Sequence, residues 1–134
     1  MISKQVIVMR KDLNMRKGKM IAQGSHASMK VLLDKMNMHP TEESGVHEMT
    51  LYLNDGTALM DWIEGKFTKI CLSVDSESEL EEIYNKAKEK GLICSLIIDA
   101  GLTEFNGVPT KTCCAIGPEW SDKIDEITGH LKLL

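Results

Sequence analysis

The chain is short of several features that would narrow its function quickly. Its 134 residues include two Trp, two Tyr and two Phe, so base stacking on aromatic side chains involves few residues. Phe105 is the one placed beside chemistry-bearing residues, with an anchoring role in its loop as the plainer reading. No run reaches the roughly 18–20 apolar residues a membrane helix needs. Met1-Ile2-Ser3-Lys4-Gln5 lacks the charged-then-apolar pattern of a secretory signal. Both absences point to a cytoplasmic protein. Cys71, Cys94, Cys113 and Cys114 form no Cys-x-x-Cys pair and have no histidines at zinc spacing; each falls in an apolar, strand-like run, where a buried free thiol is expected. His39, Glu43, His47 and Glu48 lack the spacing of His-Glu-x-x-His, so they read as a solvated loop and no metal is expected. There is no Gly-x-Ser-x-Gly elbow, and Ser25 next to His26 on one helix cannot present a Ser/His/Asp geometry.

Basic residues are also in deficit, with a net charge of -4, which argues at first against a nucleic-acid partner. Their distribution argues the other way. Residues 1–35 hold eight basic and two acidic side chains, a balance of +6, while residues 36–134 hold eight and eighteen, a balance of -10. A positive pole on an acidic body permits local recognition of a polyanion while discouraging promiscuous binding. A solvated basic face is the alternative.

The length suits one domain over residues 1–134 with an adequate core. Apolar runs at residues 5–10, 67–74, 93–98 and 112–116 read as four strands, the last stopped by Gly117-Pro118. Between them, helices are expected at about 18–36, 57–64, 76–90 and 121–128. Ser76 and Glu79 form a capping box at the start of the third, and Gly91 closes it. In the first helix Ala22, Ser25, Met29, Leu32, Leu33 and Met36 recur at three- and four-residue spacing as a packing stripe. Residues 39–65 form an acidic surface excursion. Strands alternating with helices predict a three-layer α/β/α domain with a small four-stranded sheet, mixed but mainly parallel.

In such sheets, sites form beyond the carboxyl ends of the strands. Two segments qualify: the loop and helix start with Arg10, Lys11, Arg16, Lys17 and Lys19, and Asp99-Ala100-Gly101-Leu102-Thr103. If the first and third strands are parallel, a cationic cluster and a carboxylate share one rim. Lys19, Gln23, His26 and Lys30 are spaced by four, three and four residues and fall within an arc of about 60°. That face borders a cleft or is simply exposed. Asp99, directly after six mostly apolar residues, either caps a turn or holds a defined partner.

Five segments in order carry a resemblance. They are Val6-Ile7-Val8-Met9-Arg10-Lys11-Asp12-Leu13; Lys17-Gly18-Lys19-Met20-Ile21-Ala22-Gln23-Gly24-Ser25-His26-Ala27; Asp99-Ala100-Gly101-Leu102-Thr103; Ile116-Gly117-Pro118; and Thr128-Gly129-His130-Leu131-Lys132-Leu133. Together they resemble the peptidyl-tRNA hydrolases of the archaeal and eukaryotic type. The resemblance implies a mixed sheet between helices, a homodimer, and hydrolysis of the ester joining a peptide to the terminal ribose of tRNA, which recycles tRNA during translation without cofactor or metal. It assigns an essential lysine to Lys19, an essential acid to Asp99, and supporting hydroxyls to Thr103 and to Thr112 or Thr110. Gln23 and His26 would position ester and water, with proton transfer by His26 left open. Arg10, Lys11, Arg16 and Lys17, with Lys30 further along the helix, would meet the acceptor end of tRNA, giving affinity rather than sequence discrimination. The loop at residues 104–111 is one residue longer than the common pattern, with Glu104 where many members have glutamine. Two rivals are a non-catalytic tRNA-binding module and a regulatory protein-interaction domain using the excursion. The pairing of Lys19 with Asp99 counts against the first, since binding alone gains nothing from a carboxylate facing phosphates.

Overall fold

The computed structural model describes residues 1–134. The chain runs β1 (Ser3–Arg10), α1 (Lys17–Lys35), β2 (Asn37–Pro40), β3 (His47–Thr50), α2 (Ala58–Glu64), β4 (Lys69–Val74), α3 (Glu77–Glu89), β5 (Cys94–Asp99), β6 (Thr110–Trp120), α4 (Ser121–Thr128) and β7 (Lys132–Leu133). It is an α/β fold. β1 is β-branched at Val6, Ile7 and Val8, residues that suit a pleated strand packed on both faces. Alternation sends Val6 and Val8 into a core with Leu80, Ile83, Ile124 and Ile127 of α3 and α4, and Ile7 and Met9 into another with Ala27 and Val31 of α1.

The sheet order is β5-β6-β1-β4-β7, so the sheet has five strands where four were expected. The fifth, β7, is a two-residue strand antiparallel to β4, too short for any periodicity to reveal. Only β1 and β4 pair in parallel; β6 runs antiparallel to both β1 and β5, and the sheet is mixed rather than mainly parallel by pairing. Two antiparallel steps nevertheless give β5 the direction of β1. The condition for a shared rim is met, and the long reversed strand between them is what meets it.

β6 does not stop at Gly117-Pro118 but continues to Trp120. The β1–β6 register slips between Lys4 and Val6; opposite the slip sits Pro118, which has no N–H to give the ladder. Gly117 has φ +92°, and an added Cβ would fall 2.7 Å from Lys4 O, so no larger residue fits without rearrangement. α3 begins as the capping pattern predicts: Ser76 Oγ accepts from Glu79 N at 3.1 Å, and Glu79 Oε2 accepts from Asp75 N at 3.2 Å. It ends with Gly91 N donating to Lys88 O and Leu92 N to Ala87 O, both at 3.0 Å, a Schellman closure.

Three further expectations need correction. α1 buries Gln23, Gly24, Ala27 and Val31, not the anticipated stripe, of which Ala22, Ser25, Met29 and Leu33 are exposed. The small residues Gly24 and Ala27 let the helix lie close on Ile7 and Met9. The excursion contains an antiparallel ribbon, β2–β3, pairing His39 with Glu48 and Pro40 with His47, so the two histidines point to opposite faces. Among the cysteines, Cys113 and Cys114 are buried, Cys94 is partly covered and Cys71 is exposed. Burial pushes the Cys113 thiol up to about 12 and Cys114 well above its ordinary value. Cys71 is left exposed because its neighbours Leu72 and Val74 take the covered face of β4. No helix is long and apolar enough to cross a membrane.

Candidate active site

β5 ends at Asp99 and α1 starts beside it on the same rim. Lys19 Nζ donates to Asp99 Oδ1 at 2.9 Å and to Thr103 Oγ1 at 3.0 Å. Four residues along the helix, Gln23 Nε2 donates to the same Oδ1 at 3.2 Å, while Gly101 N donates to Oδ2 at 2.8 Å. The Lys19 and Asp99 side chains are 14% and 15% exposed, enough for a substrate to reach and too little for bulk water to screen the pair fully. The Lys19 hydrogen bond is the largest influence on Asp99; with help from the Gly101 amide, the lysine's charge and Gln23, it outweighs desolvation and holds the carboxyl below its ordinary value.

Behind this layer lies a second. Thr112 is fully buried and donates from Oγ1 to Gln23 Oε1 at 2.6 Å. An ionised carboxylate only accepts hydrogen bonds, so the Gln23 amide must turn its nitrogen to Asp99 and its oxygen to the Thr112 hydroxyl. Cys113 Sγ donates to the backbone carbonyl of Gln23 at 3.3 Å. Thr110, the alternative hydroxyl, donates to Val108 O at 2.8 Å within its own loop. That loop is pinned by Gly107 N donating to Gly101 O at 2.8 Å. At Gly101, φ is +81° and an added Cβ would crowd the Val108 backbone.

Five expected residues therefore meet: Lys19, Gln23, Asp99, Thr103 and Thr112. His26, one turn beyond Gln23, is exposed and makes no hydrogen bond to the cluster; Lys30 is exposed and pairs with Asp34 at 3.3 Å. Arg10 is engaged elsewhere, gripping Asp12 at 2.7 Å and donating to Lys111 O at 3.0 Å. Lys11 and Arg16 are exposed beside the rim, whereas Lys17 lines a groove on the opposite flank of α1. Phe105 takes the plainer of its two expected roles, anchoring its loop: its ring packs against the core, and it lies 5.7 Å from Lys19 Nζ. Sequence reasoning missed the Gly101 amide and the Cys113 thiol. The first had a signal in Asp-x-Gly, a turn in which a carboxylate commonly bonds the N–H two residues on. No three His, Cys, Asp or Glu side chains gather as a metal-ligand group.

The chain is similar to proteins named peptidyl-tRNA hydrolase in Methanocaldococcus jannaschii, at 45% identity across 98% of this chain and 99% of the relative, and in Methanococcus vannielii, at 41% across 97% of each. A third, from Sulfurisphaera tokodaii, is 40% identical across the full length of both. Residues 3–134 match the family described as Peptidyl-tRNA hydrolase PTH2, and with relatives this similar over nearly their whole length, the chain belongs to that family.

Proposed function

We propose that this chain hydrolyses peptidyl-tRNA, the substrate in its family's name, at the Lys19–Asp99 cluster. Water attacks the ester carbonyl, the bond to the ribose oxygen breaks, and the peptide leaves as an acid from a free tRNA 3′ end. A carboxylate held below its usual range is ionised at neutral pH but a weak proton acceptor. Asp99 is therefore assigned to orienting the water, through the part of Oδ2 not engaged by Gly101. Lys19 has three N–H donors and spends two on Asp99 and Thr103. The third is available to the developing oxyanion or to a phosphate of the acceptor end. Thr103, exposed at the mouth, contacts substrate; Gln23 and Thr112 act through Asp99 as positioning residues. His26 and Lys30 continue the same helix face towards the acceptor strand. Lys11 and Arg16 supply phosphate contacts, with Arg10 and Lys17 contributing less from their present positions.

The observation that carries this reading is the convergence on Asp99 of donors from α1 and from its own turn. The reading further takes the chain as one three-layer domain, supported by separate cores on alternate residues of β1. It places the protein in the cytoplasm, with its tRNA substrate, as a homodimer. The test is release of labelled N-blocked aminoacyl groups from tRNA with chelator present, beside Lys19→Ala and Asp99→Ala variants of intact fold. Turnover by the parent, lost in both variants, is expected. Tight tRNA binding without turnover would favour the non-catalytic module instead.

A further inference from the structure

Two surfaces of this chain are apolar and covered by nothing within it. The first is a groove of about 630 Å³ on the flank of α1 away from Lys19 and Gln23. α1 contributes Ile21, Met29 and Leu32 to it, Trp62 and Phe67 come from α2 and the turn after it, and Cys71 from β4. Met29 and Leu32 belong to the stripe whose spacing marks a packing face, yet Met29 is exposed and Leu32 only partly covered. The only charged side chains lining the groove are Lys17 and Lys69.

The second is the β2–β3 ribbon. Met38 and Met49 are directly opposed across it and are 63% and 48% exposed. Alternation puts Pro40 and His47 on their face, and Asn37, His39, Glu48 and Thr50 on the other. The strands make their extensive contacts only with each other. A two-stranded ribbon alone in water is marginal at best and gains stability by covering one face. Residues 37–50 include Glu42, Glu43 and Glu48 and no lysine or arginine.

We propose that the apolar face of the ribbon seats in the groove of a second copy of the chain, reciprocally, so that two equivalent arm-in-groove contacts hold a symmetric dimer. The methionines meet an apolar lining, and the acidic ribbon meets a rim whose charged side chains are both lysines. An exchange of identical arms is self-complementary and closes at two copies. Because the groove and the Lys19–Asp99 cluster lie on opposite flanks of α1, both active sites stay open. This inference rests on the homodimer reading above and names its surface; an anionic membrane would repel the same ribbon.

Sedimentation of the full chain is expected to show a dimer. Combined Met38→Lys and Met49→Lys substitutions, at positions outside both cores, are expected to weaken association about tenfold or more with an unchanged circular-dichroism spectrum. Independently, Met49→Cys with a short thiol-to-thiol cross-linker should give a covalent dimer through native Cys71, absent when Cys71→Ser is added. A monomeric parent would overturn this contact and the homodimer reading together. A dimer indifferent to the paired lysine substitutions would overturn the ribbon contact alone.

Discussion

Replacing Thr112 by valine keeps the shape of a wholly buried side chain and deletes one hydroxyl. That hydroxyl donates to Gln23 Oε1 at 2.6 Å, and Gln23 is 2% exposed, so solvent has little access to replace it. Leaving the amide oxygen unpaired costs about 1–3 kcal/mol of stability. Turning the amide over avoids that cost only by setting oxygen against the Asp99 carboxylate and withdrawing an N–H from it. A hydrogen bond to a charged group contributes about 1.5–3 kcal/mol, which as lost transition-state stabilisation is about ten- to a hundredfold in rate. The kcat/KM of Thr112→Val for N-blocked aminoacyl-tRNA is accordingly expected to fall by that factor. Its acid limb should move to higher pH, because Asp99 loses one of the donors that hold its carboxyl down. Thr112→Ser, which restores the hydroxyl, should recover most of both. A purely structural role would lower the melting temperature and leave the acid limb in place. Parental rate and acid limb in Thr112→Val, or a serine variant as impaired as the valine one, would refute the reasoning.

Other consequences are open to direct measurement. Folding lowers the pKa of Asp99, so its contribution to stability is complete above the unfolded value of about 3.9 and is lost as pH falls through the lower folded value; urea melts across acid pH should show that loss in the parent and not in Asp99→Asn. Gly101→Ala forces a side chain onto a backbone with φ +81° against Val108, at a cost of about 1–2 kcal/mol before the clash is counted. Hydrolysis assays should show a deficit beyond what the fall in melting temperature accounts for, as the turn carrying Thr103 shifts. Lys11→Ala and Arg16→Ala should each weaken binding evenly across different tRNAs and reduce the salt slope of the binding constant by about one; an effect confined to one tRNA would contradict backbone contact.

The parts of this molecule legible in its sequence are those governed by local rules. The capping box at Ser76 and Glu79 and the helix at residues 121–128 depend on neighbours a few positions away, and both stand where expected. Lys19 and Asp99 were readable as rim residues because strand ends and helix starts are local features too. What escaped depends on distant partners. The continuation of β6 past Pro118 needs a register slip in β1, more than a hundred positions earlier. Which side of α1 is buried was decided by Gly24 and Ala27 lying against Ile7 and Met9, not by the larger apolar side chains that dominate any periodicity measure. The amide orientation of Gln23 depends on a hydroxyl 89 positions away.

These separations also set the order in which the molecule acquires its chemistry. Lys19 reaches Asp99 across 80 positions and Thr103 across 84, and β6 must insert between β1 and β5 before Thr112 can approach the helix. Contacts so remote along the chain form only after their loop-closure cost has been met, typically late in folding. A half-folded chain with β1 and α1 already docked possesses the lysine and glutamine but no carboxylate for them to hold. Recovery of hydrolysis during refolding is thus tied to the arrival of the β5–β6 half, and enzymatic competence becomes a readout of the completed topology rather than of secondary structure.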